Sequence, residues 1–225
     1  MSLKEQRTSP LRVRPESVLK VTKAERTRAV IMNAALDFVW TLPYRDLTVA
    51  QLMTLAGMGR SVFYRYFKDL PAVMEALLEL LQGEIFEVAE PWLTETGDPV
   101  ALLQEMLTGL VQVCYERGPF LRALTDAAAD NERFAEDWEQ FLGGFDDAAC
   151  DRIEADQKQG LIPHFEARPV AFALNRLDAY TLIQAFGEHP RSQSQPVQVA
   201  LARIWISTLY GSEWIDRKSS TLRRT

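Results

Sequence analysis

Apolar residues along this chain recur at three and four, not at two, and prolines punctuate the segments between. That pattern predicts an all-α protein. Thr22 with Glu25 three residues on reads as a capping box opening a first helix, with Val30, Ile31, Ala34, Ala35 and Phe38 on one stripe and Pro43 as its stop. Val73, Leu77, Leu81, Ile85 and Val88 predict a helix of about five turns that Pro91 closes. Leu103, Met106, Leu107, Leu110 and Cys114 mark another, from Asp98-Pro99 to Gly118-Pro119, and a shorter one covers Leu121 to Ala129. Phe134, Trp138, Phe141, Leu142, Phe145, Ala149 and Ile153 define a long amphipathic helix. Its acids, Asp146, Asp147, Asp151, Glu154 and Asp156, read as a solvated face. Two last helices, about Val170 to Phe186 and Val197 to Trp214, are apolar on more than one stripe, as a helix covered on two sides would be. A second copy of the chain would supply that cover.

Between the first and fourth helices, Thr48 to Phe67 divides into two short helical patterns separated by Ala56-Gly57-Met58, the spacing of a helix-turn-helix. Thr48 caps the first, with Val49, Leu52 and Leu55 inward. Gly57 supplies the left-handed turn, and Val62, Phe63 and Phe67 seat the second. Arg60, Ser61, Tyr64 and Arg65 are left outward. A guanidinium can bridge guanine O6 and N7 while hydroxyls reach phosphates or base edges, so this face carries the chemistry to read a major groove.

Charge sharpens that picture. The 225 residues sum to −6, but residues 1–68 hold twelve Lys and Arg against five acids, +7, leaving −13 for the rest. A small module that meets a polyanion, joined to a larger one that does not, fits this division. Residues 1–21 read as a basic arm, with Arg12 and Arg14 suited either to a minor groove or to solvent, and 217–225 as a tail. Lys20, Lys23, Arg26 and Arg28 lie just before and within the first helix, where positive charge opposes the helix dipole.

Catalysis finds no constellation here. His164 and His189 lack metal-ligand spacing, Cys114 and Cys150 sit in helical patterns, and no GxxxxGK[ST], GxGxxG or GxSxG string occurs. No enzyme activity, cofactor or metal is expected. The longest charge-free run, Leu47 to Gly59, is too short to cross a membrane, and the cysteine usage fits the cytoplasm.

The run Leu47-Thr48-Val49 to Tyr64-Arg65-Tyr66-Phe67, ending in the aromatic Phe63-Tyr64-x-Tyr66-Phe67, resembles the amino-terminal signature of TetR-type transcriptional regulators. Trp138 to Phe145, Ala173-Leu174-Asn175, Thr181-Leu182 and Ile204 to Gly211 are similar to the ethionamide-repressor branch of that family. The resemblance implies a three-helix DNA-binding domain (22–67) and a six-helix effector-binding and dimerisation domain (68–216). It further implies a homodimer on a pseudo-palindromic operator, with release by a lipophilic small molecule. Carried over by position, the DNA contacts are Thr48, Arg60, Ser61, Tyr64, Arg65, Tyr66, Lys68 and Lys23. Pocket walls would be Leu103, Met106, Leu110, Trp138, Leu142, Phe145, Leu182, Ile183 and Trp205, with Asn175 and Asp178 as polar groups. Met53 stands where the family usually has Ala, and Gly59 where a Ser or Thr cap is common. The alternative is a helical small-molecule-binding or scaffolding protein whose helix-turn-helix is structural only.

Overall fold

A computed structural model describes residues 22–211, and the arm and tail expected from the sequence lie outside them. Every element among the described residues is helical: α1 Lys23–Val39, α2 Val49–Leu55, α3 Arg60–Phe63, α4 Leu70–Thr94, α5 Pro99–Arg117, α6 Pro119–Asp130, α7 Glu132–Lys158, α8 Ala167–Phe186 and α9 Ser194–Leu209, with a 3-10 turn at Tyr44–Asp46.

Helix ends follow local chemistry. In α1 the Glu25 amide donates to Thr22 Oγ1 at 3.2 Å while the Thr22 amide donates to Glu25 Oε2 at 2.7 Å, so two otherwise orphaned donors are satisfied reciprocally. Thr48 and Gln51 repeat the device on α2. Asp69 accepts from Ala72, Asp98 from Val100 and Asn131 from Phe134, which caps α4, α5 and α7 in turn. Gly57, at φ +66°, gives the turn between α2 and α3 a backbone conformation that a side chain would strain.

The chain divides into two compact units, each assembled from separated segments. Among the described residues the first takes 22–82, 116–138 and 186–190, and its fully buried side chains include Ile31, Leu52, Met53, Phe63, Met74, Phe120, Phe134 and Phe186. The second takes 83–115, 139–185 and 191–211, around Trp92, Leu103, Leu107, Ile153, Ala171 and Trp205.

Four expectations are corrected. Pro91 lies inside α4: Glu95 N donates to Pro91 O at 2.9 Å and the helix runs on to Thr94, burying Trp92, because proline forfeits one donor but keeps its acceptor. Val30 is exposed, since the buried stripe of α1 centres instead on Ile31, Ala35 and Phe38 with Met32, Leu36 and Val39 beside them. Leu55, on the last turn of α2, is 56% exposed, and Met53 takes the inward position. The last helix ends at Leu209, with Tyr210 as its cap and Gly211 at φ +85°, short of the predicted Trp214, itself outside the described residues.

A fifth correction concerns the acids of α7. Asp146 and Asp156 are buried, not solvated. Tyr210 Oη donates to Asp156 Oδ2 at 2.6 Å, Arg152 Nε lies 2.9 Å from Asp156 Oδ1, and Trp92 Nε1 donates to Tyr210 Oη at 3.4 Å. Arg152 also donates to the carbonyls of Trp92 and Glu95, so one buried guanidinium ties α7 to the end of α4 while Tyr210 ties in α9. A buried charge is tolerated when it is paired and hydrogen-bonded in this manner.

Candidate nucleic-acid interface and effector unit

The exposed face of α3 is held from beneath by aromatic packing. Phe63 is fully buried, with Phe67 at 5.9 Å between ring centroids and Tyr64 edge-on at 5.3 Å. The Arg28 guanidinium of α1 sits 4.4 Å from the Phe67 ring centroid and donates to the Tyr66 carbonyl at 3.3 Å. A helix of one turn has almost no stability of its own, so this seat fixes the direction of its outer side chains.

Those side chains are Arg60 and Ser61 on α3, Tyr64 at its C-cap and Arg65 in the turn that follows, where the helix stops short of the Phe67 expected from the sequence; all four are exposed, Tyr64 by 55%. Gly59 is the N-cap of α3 and provides no side-chain cap, so its position leaves the first amides of the helix without a capping side chain. Thr48 is exposed at the start of α2, with its hydroxyl engaged in the capping box. Lys23 and Lys68 are exposed and Tyr66 is half-buried. The result is a cationic, hydroxyl-bearing surface on a helix-turn-helix, which can meet phosphate and base edges but has no group placed for covalent chemistry.

Within the second unit, Leu103, Met106, Leu142, Leu182 and Trp205 are buried, and Leu110, Phe145, Asn175 and Ile183 are half-buried. Phe145 stacks on Phe86 at 4.7 Å, an aromatic pair whose α4 member the sequence reading missed. Trp138 is half-buried and belongs to the first unit, apart from the other wall residues expected of the pocket. Asn175 Nδ2 donates to Asp146 Oδ1 at 3.0 Å, and Arg176 reaches both Asp146 and Glu139.

Asp178 is the least expected of these groups. It is 4% exposed, and Trp205 Nε1 donates to both of its carboxylate oxygens at 3.0 Å. Burial pushes its pKa up to about 7 against the partial relief that the indole donor gives. Asp146 and Asp156 did leave a trace in the sequence: with Ala149, Cys150 and Ile153 they fall at the three- and four-residue steps of the buried stripe of α7. Periodicity outweighs residue type there.

Among the described residues no group of His, Cys, Asp and Glu is arranged to hold a metal ion, and no helix is long and apolar enough to cross a membrane.

Comparison with known proteins supplies a framework for these surfaces. Residues 103–211 match the family model described as the carboxyl-terminal domain of the transcriptional regulator EthR. The chain is 28% identical over 187 residues to the HTH-type transcriptional regulator EthR of Mycobacterium tuberculosis, covering 80% of this chain and 86% of the relative. EthR of Mycolicibacterium smegmatis is 25% identical over 189 residues, covering 82% and 86%. In fold, the chain is similar to a TetR-family regulator from Syntrophomonas wolfei, with TM-score 0.71 and 16% identity over 83% of this chain and 96% of that one. It is also similar to AibR, solved with isovaleryl coenzyme A and operator DNA, with TM-score 0.61 and 14% identity over 83% and 98%. Both of these EthR proteins are HTH-type transcriptional regulators.

Proposed function

We propose that this chain, similar to EthR in sequence and to TetR-family regulators in fold, is a TetR-type regulator that represses transcription as a cytoplasmic homodimer and leaves a pseudo-palindromic operator when a lipophilic small molecule binds its larger domain. The observation that carries this reading is the outer face of α3 and the turn that follows it, where Arg60, Ser61, Tyr64 and Arg65 stand exposed around a fully buried Phe63. Thr48, Lys23 and Lys68 would bind the flanking phosphates, and Tyr66 would contribute from the edge. Residues 22–67 form the reading head in this account, with 68–216 for effector binding and dimerisation.

Dimerisation falls to α8 and α9, which leave Phe172, Tyr180, Val199 and Ile204 exposed. Exposed apolar residues gathered on two neighbouring helices mark a surface for another protein, here a second copy. The effector would lie among Leu103, Met106, Leu110, Leu142, Phe145, Leu182, Ile183 and Trp205, oriented by Asn175 and Asp178, all within the second unit. Release requires that the occupied protein prefer a separation of its two reading heads other than the roughly 34 to 36 Å, or a multiple, that suits successive major grooves. An effector binding both arrangements equally would shift nothing.

Selection of bound duplexes from a random-sequence pool tests the reading. An inverted repeat should emerge, and Tyr64→Ala or Arg60→Ala should weaken binding to it by about 1 to 3 kcal/mol with an unchanged melting temperature. No enrichment by purified protein, including protein stripped of co-purified lipid, would favour instead a helical ligand-binding protein whose helix-turn-helix is structural.

A further inference from the structure

The first unit contains a cleft of about 390 Å³ that no part of the proposed regulatory cycle uses. Its walls are the end of α1 and the 3-10 turn (residues 39–45), the first two turns of α6, and residues 187–189. The floor is aromatic. Trp40 is buried and meets the His189 ring edge-to-face with centroids 6.2 Å apart, and Tyr44, also buried, continues the surface.

Charge at the rim is unevenly satisfied. Arg122 binds Asp126 at 3.1 Å and Glu188 at 3.6 Å, so both carboxylates at the mouth already share a cation. Arg45 lines the same cleft, is exposed, and has no carboxylate partner among the described residues. Guanidinium prefers a planar, bidentate anion, and it loses less by binding one beside an apolar wall than an ammonium would. A cleft near the lower end of ligand-site volumes, with an aromatic floor and, at its edge, a guanidinium that no carboxylate contacts among the described residues, suits a small flat molecule carrying a negative charge.

We propose that this cleft is a binding site for small aromatic carboxylates, with the ring against Trp40 and His189 and the carboxylate on Arg45. The site is separate from the effector region of the second unit, and it lies in the unit that carries the helix-turn-helix. Its wall at residues 43–45 runs on through Leu47 to Thr48, the cap of α2. Occupancy would therefore be felt at the start of the reading head by the shortest route that the chain offers.

The test uses the full-length protein without DNA, so it does not depend on the regulatory reading. Calorimetric titration compares 2-naphthoate with 2-naphthylmethylammonium and 2-naphthylmethanol, three ligands sharing one ring system and differing in charge. The carboxylate should bind and the other two should bind at least about tenfold more weakly, the cost of one lost charge-assisted pair. Arg45→Gln should weaken 2-naphthoate by a similar factor and Arg45→Lys should recover part of it, with circular dichroism and melting temperature unchanged in both. Asn175→Leu, in the second unit, should leave the affinity as it was. Absence of binding, equal binding of the alcohol, indifference to Arg45→Gln, or loss through Asn175→Leu would each overturn the assignment.

Discussion

Asp178 shows how a single carboxyl can couple this fold to pH. Its pKa in the folded protein is about 7 against an ordinary 3.8, so between those values the folded chain holds a proton that the unfolded chain has released. Stability should therefore fall as pH rises from about 4 to about 7 and level off above that. Asp178→Asn keeps an acceptor for the Trp205 indole and removes the titration. Urea denaturation from pH 5 to 8 should show the variant gaining on the parent protein by an amount on the order of a few kcal/mol at the upper end. Parallel pH dependences would mean that Asp178 is charged in the fold throughout. This residue was singled out in the sequence as a polar group of the pocket, but its partner was not: the indole of Trp205, expected only as a wall, serves Asp178, while the neighbouring Arg176 turns to Asp146 and Glu139.

At the level of elements, the boundaries written by capping chemistry were the legible ones. Thr22 with Glu25, Asp98 before Pro99 and Gly118 before Pro119 each mark an end through a local rule that tertiary packing has no reason to override. Pro91 misled because burial of Trp92 on the next residue outweighs one missing amide. Leu55 misled because a seven-residue helix has room for little more than one turn of inward side chains, which Leu52 and Met53 fill. The face of α3 was legible because its aromatic residues alternate sharply with its polar ones, whereas the wall of a pocket and the interior of a core use the same residues. Helix crossings were invisible for a related reason, since small residues have many uses. Gly109 of α5 is an instance: a Cβ there would stand 2.8 Å from Val88 Cβ of α4. Gly109→Ala should accordingly destabilise the protein by about 1 to 3 kcal/mol although alanine is the better helix former, and thermal melting would reveal the sign.

On the scale of the whole molecule, the proposed dimer and the charge division work together. A head of net +7 in residues 1–68 attracts a polyanion, and the −13 carried by the remainder discourages the larger module from competing for it. Phe172→Glu with Tyr180→Glu should convert a dimer into a monomer in analytical ultracentrifugation and remove the concentration dependence of the melting temperature. A dimer that survives both changes would move the interface away from α8. The interleaving of the two units has a further consequence, one of timing. The unit that carries the reading head needs Phe120, Phe134 and Phe186 for its interior, yet these follow residue 82 by long stretches of chain. An isolated fragment ending at residue 82 should fail to hold a melting transition. During synthesis at roughly 5 to 20 residues per second, the head would wait about 5 to 20 s after its own helices emerge before its last hydrophobic pieces arrive. A ribosome-bound nascent chain would thus present no finished reading head to DNA until synthesis has passed residue 190.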